Sequence, residues 1–201
     1  YRSEKEALEL KNYVVDHYNI NALAIKCDIT NENDVKNMKN TILEKYNHID
    51  ILINNAAYAC ENYIDDKTKE EFLRVLEVNV VGTFLVTKYL YKIMEKGVIV
   101  NISSTDSIDT YSEISMDYSA SKAAINNLTK TFALSFKNIK VIGVMPNWTN
   151  TESIQEMNQD YLKEEMKRIG QDKLEDPKDV SKNIIELIFN DDIKSGDIRR
   201  V

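Results

Sequence analysis

The chain has 201 residues, 43% of them hydrophobic, which is enough for one globular domain with a sizeable core. Twenty-six Lys and Arg stand against 33 Asp and Glu, and the net charge of −7 excludes a broad basic field for nucleic acid or an anionic membrane surface. No apolar run reaches the roughly 18 residues needed to cross a bilayer, and the opening YRSEKEALEL lacks the basic-then-apolar order of a secretion signal, so a cytoplasmic protein is expected. Cys27 and Cys60 are the only cysteines, without a nearby His cluster, so neither a disulfide framework nor a metal site is expected.

Ser3 can cap an amphipathic helix near residues 4–18, with apolar positions at Ala7, Leu8, Leu10, Val14 and Val15. Residues 22–29, ALAIKCDI, read as a short strand ending at Asp28, after which Thr30 can cap a helix carrying Val35, Met38, Ile42 and Leu43. The apolar run IDILINNAA at 49–57 suits a strand buried on both faces of a parallel sheet. Thr68 then opens a long helical pattern to about Glu95, followed by a strand at 97–103 and the polar loop DSIDTYSEISM. A helix is expected over 117–136, a strand over 139–145, a mobile helical segment over 152–169, a helix over 178–190 and a last strand over 195–201.

This alternation requires crossovers between parallel strands, and crossovers are almost always right-handed, so the fold class is α/β: a doubly wound parallel sheet with helices on both faces in three αβα layers. No linker, repeat or low-complexity tract interrupts it, and residues 1–201 read as one domain. Ligands of such sheets sit beyond the carboxyl ends of the strands, which directs attention to Asp28, Asn54 to Ala57, Ser103 to Thr105 and Pro146 to Thr151.

Tyr118 and Lys122, four apart on a predicted helix, put a phenol and an ammonium on one face. Such pairs also occur at Tyr1 with Lys5 and Tyr63 with Lys67, and those two read as solvated helix-surface pairs. The third differs because Ser104 closes a buried strand 14 residues earlier, and strand, loop and helix can return Tyr118 to that strand end. Moving a proton to or from an alcohol or carbonyl oxygen needs such a set. A free phenol, with a pKa near 10, is too weak an acid, and a nearby ammonium would lower it. Ser104 can donate a hydrogen bond to the same substrate oxygen.

CDIT at 27–30, ILINNAA at 51–57, VNVVGTF at 78–84, VNISS at 100–104 with YSASK at 118–122, and PNWTNT at 146–151 follow one another in an order that resembles the short-chain dehydrogenase/reductase family, of the kind typified by 3-oxoacyl-acyl-carrier-protein reductases. The resemblance implies a Rossmann-like oxidoreductase that passes hydride between a nicotinamide cofactor and a carbonyl or secondary alcohol. By that resemblance Tyr118 is the general acid, Ser104 steadies the carbonyl, Lys122 tunes Tyr118 and holds the nicotinamide ribose, and Asn79 anchors a water for proton relay. Asp28 and Ile29 would meet the adenine, and Asn55 and Ala56 the ribose side. Thr149 would meet the carboxamide and Thr151 the nicotinamide end. Arg2 could pair with a 2′-phosphate and favour NADP(H) over NAD(H). Trp148, Ile154 and Met157 would lie on an apolar lid over the substrate. Two long helices, 68–95 and 117–136, would pack across a subunit interface in a homodimer or homotetramer.

Residue by residue the assignments have plainer alternatives. Asp28 alone reads as a turn or cap residue, Asn54 and Asn55 as strand-end caps, and Asn79 as a helix residue bonding a neighbouring carbonyl. The resemblance also has gaps. Nothing matches the Gly-rich turn G-x-x-x-G-x-G, Ala57 and Asn147 stand where the family prefers Gly, and the chain opens where a second strand should be ending and stops inside what looks like the last. A segment of roughly 35–45 residues carrying the phosphate cradle is expected ahead of Tyr1, with a non-catalytic cofactor-binding module as the alternative. Among substrates 3-oxoacyl thioesters lead, with an acyl carrier protein as a candidate bearer and Lys88, Lys92 and Lys96 as candidate docking residues. Small ketones or sugars follow, since the acidic loop with Asp106, Asp109, Glu113 and Asp117 disfavours an acidic partner.

Overall fold

A computed structural model describes residues 3–201. Several helices begin where a side chain takes up free backbone N–H groups, although Ser3, the expected cap of the first helix, makes no such bond. Asn31, rather than the expected Thr30, accepts from the N–H of Asn33 and Asp34 to open α2 (Glu32–Tyr46). Thr68 and Glu71 form a reciprocal capping box at α3 (Lys69–Leu76). The long helix is continuous but changes pitch: α3 passes into a π-helical turn, Glu77–Gly82, then into α4 (Thr83–Leu90) and a closing 3-10 turn, Tyr91–Ile93. An earlier helix, α1 (Glu4–Tyr18), follows its expected bounds but buries no residue, and Leu10 of its apolar set is 63% exposed.

Four strands, β1 (Ile51–Asn54), β2 (Gly97–Ile102), β3 (Ile139–Met145) and β4 (Ile198–Arg200), lie side by side in that order, all parallel. Side chains of β2 and β3 alternate between two cores, as strands covered on both faces must. Ile99 and Val141 join Leu52, Val86, Leu90 and Phe132 under α2, α4 and α5 (Met116–Ser135). Val100, Ile142 and Val144 meet Ile188 of α8 (Pro177–Phe189) on the other face. The doubly wound α/β architecture is therefore present.

Three expectations change. Residues 22–29 carry no strand assignment among the described residues. β1 is shorter than its apolar run and is covered on one face only: Leu52 is buried while Ile51 and Ile53 are 40% and 45% exposed, since the second core is built on β2 and β3. The 152–169 segment is two helices, α6 (Glu152–Glu156) and α7 (Gln159–Ile169), broken where Asn158 caps the second.

Between the two cores and the loops, a polar seam locks the strand ends together. The Asn54 amide donates to Asn101 Oδ1 at 2.8 Å and Thr87 Oγ1 at 3.0 Å, and the Asn101 amide donates to Thr129 Oγ1 at 3.0 Å. These bonds satisfy groups that are out of water and fix the level of β1, β2, α4 and α5 relative to one another.

Candidate active site

The carboxyl ends of β2 and β3 open into a cleft of about 710 Å³. Ser104 follows β2 and caps a 3-10 turn, Thr105–Ser107, by accepting from the Asp106 N–H at 3.2 Å. That bond occupies a lone pair of the Ser104 hydroxyl and leaves its hydrogen to give. The turn is anchored to α5 by Asn126, whose amide donates to Ser107 Oγ at 2.7 Å. Helix α5 approaches closely because its inward face carries small residues, Ser119 and Ser121 among them. It brings Tyr118 to the cleft, where its phenol lines the wall together with the Ser104 hydroxyl. One turn on, Lys122 is 3% exposed, its Nζ 5.2 Å from the centre of the Tyr118 ring and donating to Ile102 O at 2.8 Å. The three groups singled out by spacing are thus brought together.

Their electrostatics differ from the expectation. Burial pushes the Tyr118 phenol above its ordinary value, the Asp106 carboxylate pushes it further, and the nearby Ser104 hydroxyl pulls it part of the way back. Burial also brings the Lys122 ammonium down to about 8. Desolvation, and not the neighbouring cation, dominates the phenol. The acid form of Tyr118 is the stable one, which suits a proton donor.

Asn79 sits in the π-helical turn, 2% exposed. Its Oδ1 accepts from the Tyr58 N–H at 2.7 Å, and its amide donates to Tyr58 O and to Ser121 Oγ, both at 2.9 Å. A single wide turn in a helix is a frequent device for presenting one side chain. Here it turns Asn79 to grip the loop after β1 and the first turns of α5 at once. One Oδ1 lone pair remains for a further partner.

The loop after β3 forms the opposite wall, with Pro146, Asn147, Trp148, Thr149 and Thr151 all lining the cleft. Asn147 does not adopt positive φ, so its role at the family's Gly position is different: its Oδ1 accepts from Thr105 Oγ1 at 3.1 Å and from the Trp148 N–H at 3.0 Å, joining the two walls. Thr149 Oγ1 donates back to Asn147 O at 2.9 Å, and Thr151 precedes α6 with its hydroxyl 3.2 Å from that of Ser153. Ile154 and Met157 line the same cleft.

The remaining sequence-selected residues lie apart from this cleft. Asn55 and Ala56 are exposed just beyond β1, while their neighbour Ala57 reaches the cleft wall. The Asp28 carboxylate accepts from the Thr30 N–H at 2.9 Å and from Thr30 Oγ1 at 2.7 Å, a turn-capping role that draws its pKa down. Ile29 packs on Gly82. Arg2 lies outside the described residues. Sequence reasoning underused Asp106, counted only as part of an acidic loop, which is 8% exposed and lines the cleft with its Oδ1 accepting from Thr110 Oγ1 at 2.7 Å. It passed over Glu175, whose backbone brackets the loop at Trp148 O and the Asn150 N–H. It misread Lys67, which follows a turn and is buried against Asp117 rather than solvated on a helix.

With this geometry in view, the comparison with known proteins is direct. The sequence profile for short chain dehydrogenase matches residues 1–162. An uncharacterized oxidoreductase of Thermotoga maritima is 36% identical over 132 residues, covering 63% of this chain and 51% of its own length. Glucose 1-dehydrogenase 2 of Bacillus subtilis is 29% identical over 175 residues, covering 84% and 66%. A 3-oxoacyl-acyl-carrier-protein reductase of Thermotoga maritima is 30% identical over 166 residues, covering 80% and 67%. A dehydrogenase/reductase structure from Sinorhizobium meliloti superposes on 100% of this chain and 80% of its own with a TM-score of 0.89 at 22% identity, a likeness of fold. The chain spans about half to two thirds of the length of the curated relatives it matches. From the profile, the relatives and the fold together, the chain belongs to the short-chain dehydrogenase family.

Proposed function

We propose that this chain carries the catalytic half of a nicotinamide-dependent oxidoreductase that interconverts a carbonyl and a secondary alcohol. The observation that carries the reading is that Ser104 and Tyr118 line the same cleft, with the Lys122 cation buried behind the phenol, 5.2 Å from its ring centre. A carbonyl oxygen entering between the two hydroxyls would accept from both. Ser104, held by the Asp106 N–H, gives its hydrogen to that oxygen, and Tyr118 gives up its proton there as the carbon is reduced. Lys122 offsets the negative charge left on the phenol, and the free lone pair of Asn79 can hold a water that returns the proton.

The cleft fits the nicotinamide end of a cofactor. Its walls carry the hydroxyls of Ser104, Tyr118, Thr149 and Thr151, and the exposed backbone from Asn55 to Ala57 leaves an open approach past β1. When bound, a reduced nicotinamide supplies the hydride. Thr149 and Thr151 would orient the carboxamide, Tyr118 and Lys122 the ribose, Asn55 and Ala56 the far side, and Asp28 and Ile29 the adenine. NADP(H) is our preferred cofactor by way of Arg2.

For the substrate, likeness to 3-oxoacyl-acyl-carrier-protein reductases favours a 3-oxoacyl thioester. A second reading rests on the lining itself. Glu61, Asp106 and Glu156 face the cleft together with Ser115 and Ser153, and no Lys or Arg does so among the described residues. Such a surface repels anionic groups and suits a small neutral ketone rich in hydroxyls. Lys88, one of the three lysines considered for an acidic carrier, is engaged by Glu32 at 2.8 Å. Homo-oligomerisation through α3, α4 and α5 is consistent with apolar side chains left exposed there, such as Leu73, Phe84 and Leu134.

Following NADPH and NADH oxidation by the full-length protein against acyl thioesters, small ketones and oxidised sugars tests the reading and ranks the substrates. Turnover with any of them removes the non-catalytic module from consideration. Lack of turnover with all of them, by protein shown to be folded, would remove the oxidoreductase.

A further inference from the structure

Among the described residues, one charged pair is taken almost fully out of water. Lys67 Nζ lies 3.0 Å from Asp117 Oδ2, with side chains 4% and 0% exposed. Removing two charges from solvent is costly, and a buried pair can often be replaced by apolar residues with no loss of stability, so stability alone is a poor account of why the pair is there. Its connections offer a better one. Asp117 Oδ1 accepts from the N–H of Tyr118 at 2.9 Å, and Lys67 Nζ also donates to Cys60 O. The pair therefore joins the residue bearing the phenol to the chain segment that lines the cleft from Ala57 to Glu61.

Both ends of this link are anchored. Lys67 immediately precedes the Thr68–Glu71 capping box of α3, and Glu71 also receives the Asn62 amide at 2.8 Å. A second bridge, Asn62 N–H to Ile114 O at 2.9 Å, ties the same loop to the chain just before α5. Asn79 grips Tyr58 and Ser121 from below. The loop is thus stapled across the first turns of α5 at three places, and the ion pair is the staple adjacent to Tyr118.

We propose that Lys67 and Asp117 are a positioning pair: by holding the Tyr118 backbone and the Cys60 carbonyl on one ionic contact, they set the phenol against Ser104 and fix the width of the cleft. Neither residue touches substrate. The kinetic arm of the test rests on the reductase reading, and the structural arm does not.

The test uses three forms of the full-length protein beside the wild type. Lys67→Met alone strands a buried carboxylate and lowers Tm. The double variant Lys67→Met with Asp117→Leu removes both charges and the acceptor for the Tyr118 N–H. It is expected to regain most of the lost Tm, yet to keep kcat depressed by about 10- to 100-fold, with KM for the cofactor nearly unchanged, since a misplacement of about 1 Å can cost that much. Lys67→Met with Asp117→Asn restores the acceptor without the charge and should recover part of kcat. A crystal structure of the Leu double variant should have Tyr118 displaced from Ser104. Recovery of kcat together with Tm in the Leu double variant would overturn the proposal, as would an undisturbed Ser104–Tyr118 arrangement in its crystal structure. If the wild type turns over no carbonyl, the reductase reading fails by itself, and the crystal structures still decide the positioning role.

Discussion

At the scale of single residues, Tyr118 and Lys122 are held in protonation states that burial disfavours for their ions. The phenol is raised and the ammonium lowered to about 8. Carbonyl reduction consumes the protonated phenol, so its rate is expected to stay flat through neutral pH and fall only under alkaline conditions. Alcohol oxidation needs the phenolate and should climb with pH. Asp106→Asn removes the negative charge that helps raise the phenol, so the climb should begin at lower pH. A pH profile of alcohol oxidation checks this, and an unmoved profile would mean that Asp106 is not felt at Tyr118. Tyr118→Phe removes the donor and should cut kcat by at least about 100-fold while cofactor affinity, read by fluorescence titration, changes little.

Lys122 carries a stability consequence of the opposite sign to its role. Its folded-state pKa of about 8 lies below the unfolded value of 10.5, so between these pH values the unfolded chain binds more protons and folding gains stability as pH rises. Below that window the fold carries the full cost of a buried cation. Lys122→Met should therefore raise Tm at pH 7, by roughly 2–4 °C for each kcal/mol recovered, while abolishing most turnover. The gain should shrink as wild type and variant are compared at increasing pH. A lower Tm at pH 7 would mean that the bond to Ile102 O outweighs desolvation.

Among the elements, the π-helical turn ends at Gly82, which leaves room for the Ile29 side chain. A Cβ at Gly82 would stand 2.7 Å from Ile29 Cδ1 and 2.8 Å from Ile29 Cγ1. Gly82→Ala is expected to cost about 1–3 kcal/mol in chemical denaturation, and Ile29→Ala in the same chain should return a part of it. Lack of any recovery would place the strain elsewhere. No periodicity announces such a turn: residues 68–95 read as one uniform helix, since apolar spacing records which face is buried and not the pitch. Elements whose surroundings match their pattern were legible, as with the 139–145 strand, covered on both faces, and α5, displaced by one residue from its expected bounds. Where the pattern implied cover on both faces, as for β1, whose Ile51 and Ile53 stay exposed, sequence overstated the burial. Ser104, Tyr118 and Lys122 could be found because they are fixed by helix spacing and a strand end. The Lys67–Asp117 contact could not, because it joins residues fifty apart whose meeting depends on how a turn folds back on α5.

Considered as a whole molecule, the chain leaves large apolar side chains uncovered on two of its long helices, with Leu134 at 88% and Leu73 at 52% exposure. A negative net charge keeps such a particle dispersed, and a symmetric pairing of these helices would cover the apolar surface. Light scattering on the full-length protein should give a mass of two or four chains. Leu134→Asp should shift it toward the monomer, and a wild-type monomer at micromolar concentration would contradict the assembly.

The four strands lie in the sheet in the same sequence in which the chain encodes them. Each new strand is therefore added at the open edge left by its predecessor, and none has to be wedged between two that are already paired. During synthesis, at about 5–20 residues per second, β1 would wait only on the order of seconds for β2 to emerge. The helix between them is available meanwhile to shield the growing edge. Assembly of this part of the protein can thus proceed vectorially with translation, whereas refolding from denaturant, with all strands present at once, is open to mispairings that the ribosome's order avoids.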